Sequence, residues 1–232
     1  MRTLAAALLL TAMHGLAAGQ GQVHRVPDTM AQRVLACTPC HGREGRATRE
    51  GYFPRIAGKP AGYLYNQLVH FREGERSNTA MAHLLAQLDD AYLREIAAYF
   101  AALELPYPPP ASTAVNAAEL KRGEVLVREG DAARKLPACS ACHGAAMTGV
   151  LPATPGLLGL PRDYLVGQLG AWQNGKRRAA APDCMAQIAK QLSPEDVSAA
   201  ASWLAAQPVP AEAKPAAAIA LPLPIDCGSV PK

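Results

Sequence analysis

Two stretches of this 232-residue chain carry one arrangement of ligand-type side chains, Cys37-Thr38-Pro39-Cys40-His41 and Cys139-Ser140-Ala141-Cys142-His143. Two thiols three positions apart, followed at once by an imidazole, suit covalent attachment of a c-type haem. The sulfurs of Cys37 and Cys40, and of Cys139 and Cys142, add to the porphyrin's vinyl groups, while His41 and His143 ligate iron from the same turn. With six Cys and six His in the chain, composition alone predicts roughly 0.004 copies of this pattern. Two copies are present. A zinc site would bring its Cys pairs within about 20 residues of each other, whereas these begin at 37 and 139. A thioredoxin-like dithiol would need a strand–helix setting that neither pair has.

Each iron needs a sixth ligand or an open position, and that choice separates a carrier from an enzyme. Met81 and Met185 follow His41 and His143 at nearly the same distance. Each comes after a Gly, a basic stretch and a loop, and precedes Ala and an apolar helix. Methionine in an apolar stretch commonly fills core space, but identity at matching positions favours ligation here. Met147 stands too close to His143 to reach the far side of a ring, and Met30 precedes the first motif. His70 and His83 are matched by Ala171 and Gln187, so they read as surface or packing residues.

The elements that must position these groups come from an internal duplication. Pro54, Gly58, Pro60, Tyr63-Leu64, Gln67-Leu68 and Gly74 recur 101 residues later as Pro155, Gly159, Pro161, Tyr164-Leu165, Gln168-Leu169 and Gly175. Beyond a three-residue insertion, Met81-Ala82, Leu88 and Tyr99 are answered by Met185-Ala186, Leu192 and Trp203. Pro106-Tyr107-Pro108-Pro109-Pro110 cannot continue a helix and reads as a spacer. The units are therefore 20–105 and 116–207, with a linker over 106–115 and a Pro/Ala-rich, irregular tail over 208–232.

Within each unit the apolar spacing is helical. Tyr63 to Phe71 and Tyr164 to Trp172 form one pair of helices. Asp89 to Leu103 answers a helix capped by Ser193 that runs from Pro194 to Ala206, and Asn116 caps another through Val127. No segment alternates with period two. Both units are predicted to be all-α.

Met1-Arg2, the apolar run Thr3 to Leu16, and Ala17-Ala18-Gly19 make a signal peptide over 1–19, which exports the chain to an oxidising compartment. The run is interrupted by His14 and falls short of a membrane span. A net charge of +4 without a basic stripe gives no support to nucleic-acid binding. The Lys176-Arg177-Arg178 cluster reads as a solvated turn. Two Trp, seven Tyr and three Phe are few for two cores, a deficit that two porphyrins would make good.

These residues carry a resemblance. The two Cys-x-x-Cys-His-Gly motifs, the Pro-x-x-x-Gly segments at Pro54 and Pro155, the Tyr-Leu-x-x-Gln-Leu helices and the Gly-x-Arg turns at Gly74 and Gly175 resemble the dihaem cytochrome c4 family. The resemblance covers about 30–105 and 118–207. It implies two tandem class I cytochrome c domains in the periplasm, with the carbonyls of Pro54 and Pro155 holding Nδ1–H of His41 and His143. It also implies redox partners: a respiratory donor complex, and a terminal haem–copper oxidase or a dehydrogenase. Peripheral association with the membrane stays open.

Cys184 departs from the family, standing where a second Met is usual, and Cys227 is added in the tail. Two leftover thiols in an exported chain point to a Cys184–Cys227 disulfide across the second Met loop. The alternative is a free Cys184 competing with Met185 for iron, which would suit a dihaem peroxidase or thiosulfate-oxidising dehydrogenase. A haem subunit of a larger dehydrogenase would look the same internally as a carrier.

Overall fold

The computed structural model describes residues 25–48, 50–110, 115–217 and 222–230. The leader read at 1–19 and residues 111–114 of the linker lie outside them. The first unit runs α1 (Met30–Arg33), α2 (Thr38–His41), α3 (Ala61–Arg72), α4 (Thr79–Leu85) and α5 (Asp90–Ala101). The second runs α6 (Ala117–Arg128), α7 (Ser140–His143), a hairpin of β1 (Gly149–Val150) and β2 (Thr154–Pro155), α8 (Arg162–Gln173), α9 (Cys184–Gln191) and α10 (Pro194–Ala206).

Side-chain caps start the long helices where the sequence places them. Asp89 accepts from the Tyr92 N–H at 2.8 Å, Asn116 from the Glu119 N–H at 2.8 Å, and Ser193 with Asp196 forms a reciprocal capping box. In the first unit α5 packs on α3, bringing Leu64, Phe71, Leu93, Ile96 and Phe100 together. In the second α10 packs on both α6 and α8, joining Val127, Leu165, Trp203 and Leu204. Met147 is buried in that second core. The fold is all-α apart from the hairpin, whose two-residue strands are too short to leave a period-two signature in the sequence.

The tail is better anchored than its composition suggests. Ala216 pairs with Val150 as a parallel bridge, donating to the Gly149 carbonyl at 2.9 Å and accepting from the Leu151 N–H at 2.8 Å. Further along, Cys227 is disulfide-bonded to Cys184. The Ser229 carbonyl accepts from Asn66 of the first unit at 3.5 Å.

Candidate haem centres

Each Cys-x-x-Cys-His motif ends in a single helical turn, α2 or α7, whose last residue is the His. Gly42 and Gly144 stop those turns at φ +73° and +83°. A Cβ on Gly42 would run into the Ala47 backbone, so that exit needs glycine. His41 and His143 are 9% and 7% exposed. Nδ1 of His41 meets the Pro54 carbonyl at 3.0 Å, and Nδ1 of His143 meets that of Pro155 at 2.8 Å. A carbonyl can only accept, so Nδ1 carries the proton and each Nε2 keeps its lone pair free for a metal. Burial keeps both imidazoles below the ordinary histidine pKa, against the pull of the Pro54 and Pro155 carbonyls.

Burial likewise raises the thiols of Cys37 and Cys142, and pushes Cys139 up to about 11. A catalytic dithiol needs the opposite shift. Among the described residues, no three His, Cys, Asp or Glu side chains gather as a metal cluster, so neither Cys pair has the further donors of a zinc site.

Met81 and Met185 each stand in the first turn of a helix, α4 and α9. Asn78 and Asp183 cap those helices, the latter also accepting from the Ala179 N–H at 2.8 Å. Both methionines line the same cavity as both Cys pairs and both His, a continuous space of about 680 Å³. His70 is half-buried and His83 exposed.

Sequence reasoning missed the charge of this cavity. Arg55, Lys59, Arg76 and Arg177 line it and are 2%, 4%, 8% and 5% exposed. The buried carboxylate among the described residues, Asp196, is bound elsewhere by Arg122 and Arg134. Trp172 also lines the cavity, and its indole N–H is buried without an acceptor. Buried cations and an orphaned donor call for anions. A flat apolar group bearing carboxylates at its rim meets every one of these demands, and haem is such a group.

Arg177 corrects one reading. Lys176 and Arg178 are exposed, as a solvated turn requires, but Arg177 between them is buried, and the backbone of the turn pairs with Glu75–Ser77 across the junction between the units. Ser77 N–H donates to the Lys176 carbonyl at 2.9 Å, and Arg178 N–H to that of Glu75 at 2.7 Å. Each of Arg76 and Arg177 donates to both Gln67 and Gln168, at 2.7 to 3.0 Å. Each guanidinium also lies over an aromatic ring of its own unit, Phe71 at 4.4 Å and Trp172 at 3.8 Å.

No family model matches the chain. It is 36% identical to the thiosulfate dehydrogenase electron acceptor of Stutzerimonas stutzeri, over 86% of this chain and 91% of that one. Cytochrome c4 of Pseudomonas aeruginosa is 33% identical over 88% of this chain and 98% of its own. The chain belongs to the dihaem cytochrome c4 family. The crystal structure of reduced cytochrome c4 from Pseudomonas stutzeri superposes with a TM-score of 0.66 at 30% identity, covering 76% of this chain and 95% of that one. Cytochromes c4 carry haem c and transfer electrons; they are not enzymes.

Proposed function

We propose that this cytochrome c4 carries two haems, one in each unit, and shuttles single electrons in the periplasm after loss of residues 1–19. His41 with Met81, and His143 with Met185, hold the irons. Cys37, Cys40, Cys139 and Cys142 supply the thioether links. Haem would supply a one-electron change at iron, and a methionine together with a histidine as its ligands would favour a high potential.

The chain's own part is to keep each iron closed and its ligands still. The observation that carries this is the repeated pair of a His fixed by a proline carbonyl and a capped Met helix opening on one cavity. Pro54 and Pro155 stop the imidazoles from turning, and Asn78 and Asp183 stop the Met helices from fraying. Little then has to rearrange when an electron arrives. The Cys184–Cys227 bond leaves no free thiol beside Met185, which supports a closed second iron over a sulfur-ligated, enzymatic one.

The relatives named as electron acceptors of thiosulfate dehydrogenase favour a dehydrogenase of that kind as donor, with a terminal haem–copper oxidase as acceptor. A stable haem subunit of such a dehydrogenase is the second reading. The oxidised holoprotein should be reduced within a stopped-flow shot by thiosulfate dehydrogenase and thiosulfate together, and by neither alone. Co-elution of the two proteins on gel filtration would favour the subunit reading. One haem per chain by pyridine haemochrome assay, or carbon monoxide binding to the reduced native protein, would overturn the closed two-haem carrier.

A further inference from the structure

The two units are close copies around their motifs, yet Arg55, Lys59 and Asp196 are buried charges without a counterpart in the other unit, and Lys59 is the one that reaches across the junction. Lys59 sits in the first unit at the place that Leu160 takes in the second. Its ammonium crosses the junction and donates to the Gly156 carbonyl at 2.8 Å. Gly156 follows Pro155, whose own carbonyl accepts from His143 at 2.8 Å. A few bonds of rigid backbone thus link the first unit's cation to the second unit's imidazole.

This contact is built into the docking of the units. Gly62, one turn beyond Lys59, donates its N–H to the Pro152 carbonyl at 3.2 Å. A Cβ there would stand 2.7 Å from that oxygen, so glycine permits the approach that brings Lys59 home. Its repeat counterpart is Asp163, whose side chain is 84% exposed. The contact therefore runs one way only, from the first unit to the second.

Lys59 is 4% exposed, and the nearest charge acting on it is a like one, Arg55. Burial and that guanidinium bring its pKa down to about 7, so without a carboxylate side chain against it the ammonium is fully charged only below neutral pH. In a water-poor interior such a charge is poorly screened, and it opposes added positive charge on the metal that His143 holds.

We propose that Lys59 is a tuning residue lent by the first unit to the second haem, whose reduction potential it raises while leaving the first haem's unchanged. This rests on the reading that His143 ligates a haem. The consequence is directional: Lys59 biases the electron on the two-haem chain toward the second unit.

Lys59→Gln, Lys59→Met and Lys59→Arg holoproteins test it, by redox titration at about pH 5.5, where the native ammonium is charged, with each haem followed through its own methionine methyl signal in paramagnetic NMR. Gln removes the charge but keeps a donor for Gly156, Met removes both, and Arg keeps the charge. The expected result is a lower potential for the second haem in Gln and Met alike, an unmoved first haem, and recovery in Arg. Equal shifts at both haems, no shift with both Met signals intact, or a shift in Met but not in Gln would overturn the proposal. Loss of the second Met signal already in the native protein would count against the haem-ligand reading instead.

Discussion

The side chain of Asn78 accepts the backbone N–H of Met81 at 3.0 Å, so the methionine enters its helix already held in place. Asp183 holds the corresponding turn around Met185. Met81→Ala should open the first iron to carbon monoxide or cyanide and lower its potential, leaving the second nearly unchanged. Met185→Ala should do the converse. Asn78→Ala, which removes only the cap, should cost about 1 kcal/mol and let cyanide in faster without abolishing Met81 ligation. Ligand-binding kinetics on the three variants check all of this.

Arg76 joins the two units through Gln67, Gln168 and the Tyr164 hydroxyl. Replacing it with Met takes one donor from each; Gln67 and Gln168 keep Arg177, while the buried Tyr164 hydroxyl loses its guanidinium. The expected cost is about 1–3 kcal/mol. Guanidinium unfolding followed by circular dichroism should turn from one transition into two as the units come apart. A single, unshifted transition would mean the junction is held elsewhere.

Asp196 gives the second unit a sensitivity to acid that the first does not share, since Tyr92 takes its place there. Burial alone would raise this carboxyl, but hydrogen bonds from Arg134, the Ser193 N–H and Arg122 outweigh burial and hold it below the usual carboxylate range. Its folded pKa lies below its unfolded one, near 3.9. The stabilisation is therefore complete above about pH 5 and lost as pH falls through the folded value. Thermal melts between pH 6 and pH 3 should show the second haem's absorbance failing first, and Asp196→Asn should flatten that difference.

Cys184 and Cys227 lie 43 residues apart in sequence. Closing a loop of that length is worth on the order of 4 kcal/mol by the chain-entropy estimate. Cys227→Ser should leave the first haem alone and let Met185 dissociate at a lower temperature. Two alkylatable thiols in the unreduced native holoprotein would show that the bond does not form in solution.

Much of this arrangement is legible in local sequence, because its signals are local. Caps such as Ser193 and Asn116 act within one turn, and Cys-x-x-Cys-His is contained in five residues. What stays hidden is whatever depends on segments a hundred residues apart. Arg177 sits among three consecutive cations and looks solvated until Gln67 and Trp172 are brought around it. Lys59 reads as an ordinary loop lysine until its carbonyl partner arrives from the second unit. The anchoring of Ala216 on Val150 is invisible for the same reason: a bridge of one residue leaves no periodicity.

The pairing of Arg76 with Arg177 has the form of an isologous interface, in which each partner offers the same patch and receives the same patch. A surface of that kind is complete in one copy of the gene. Two separate copies bearing such a patch would meet at a strength set by their concentration. Joining them through the proline-rich connection gives that encounter a fixed effective concentration instead. Two halves of one chain need not be identical, and Lys59 set against Leu160 is a difference that a pair of separate identical copies could not have.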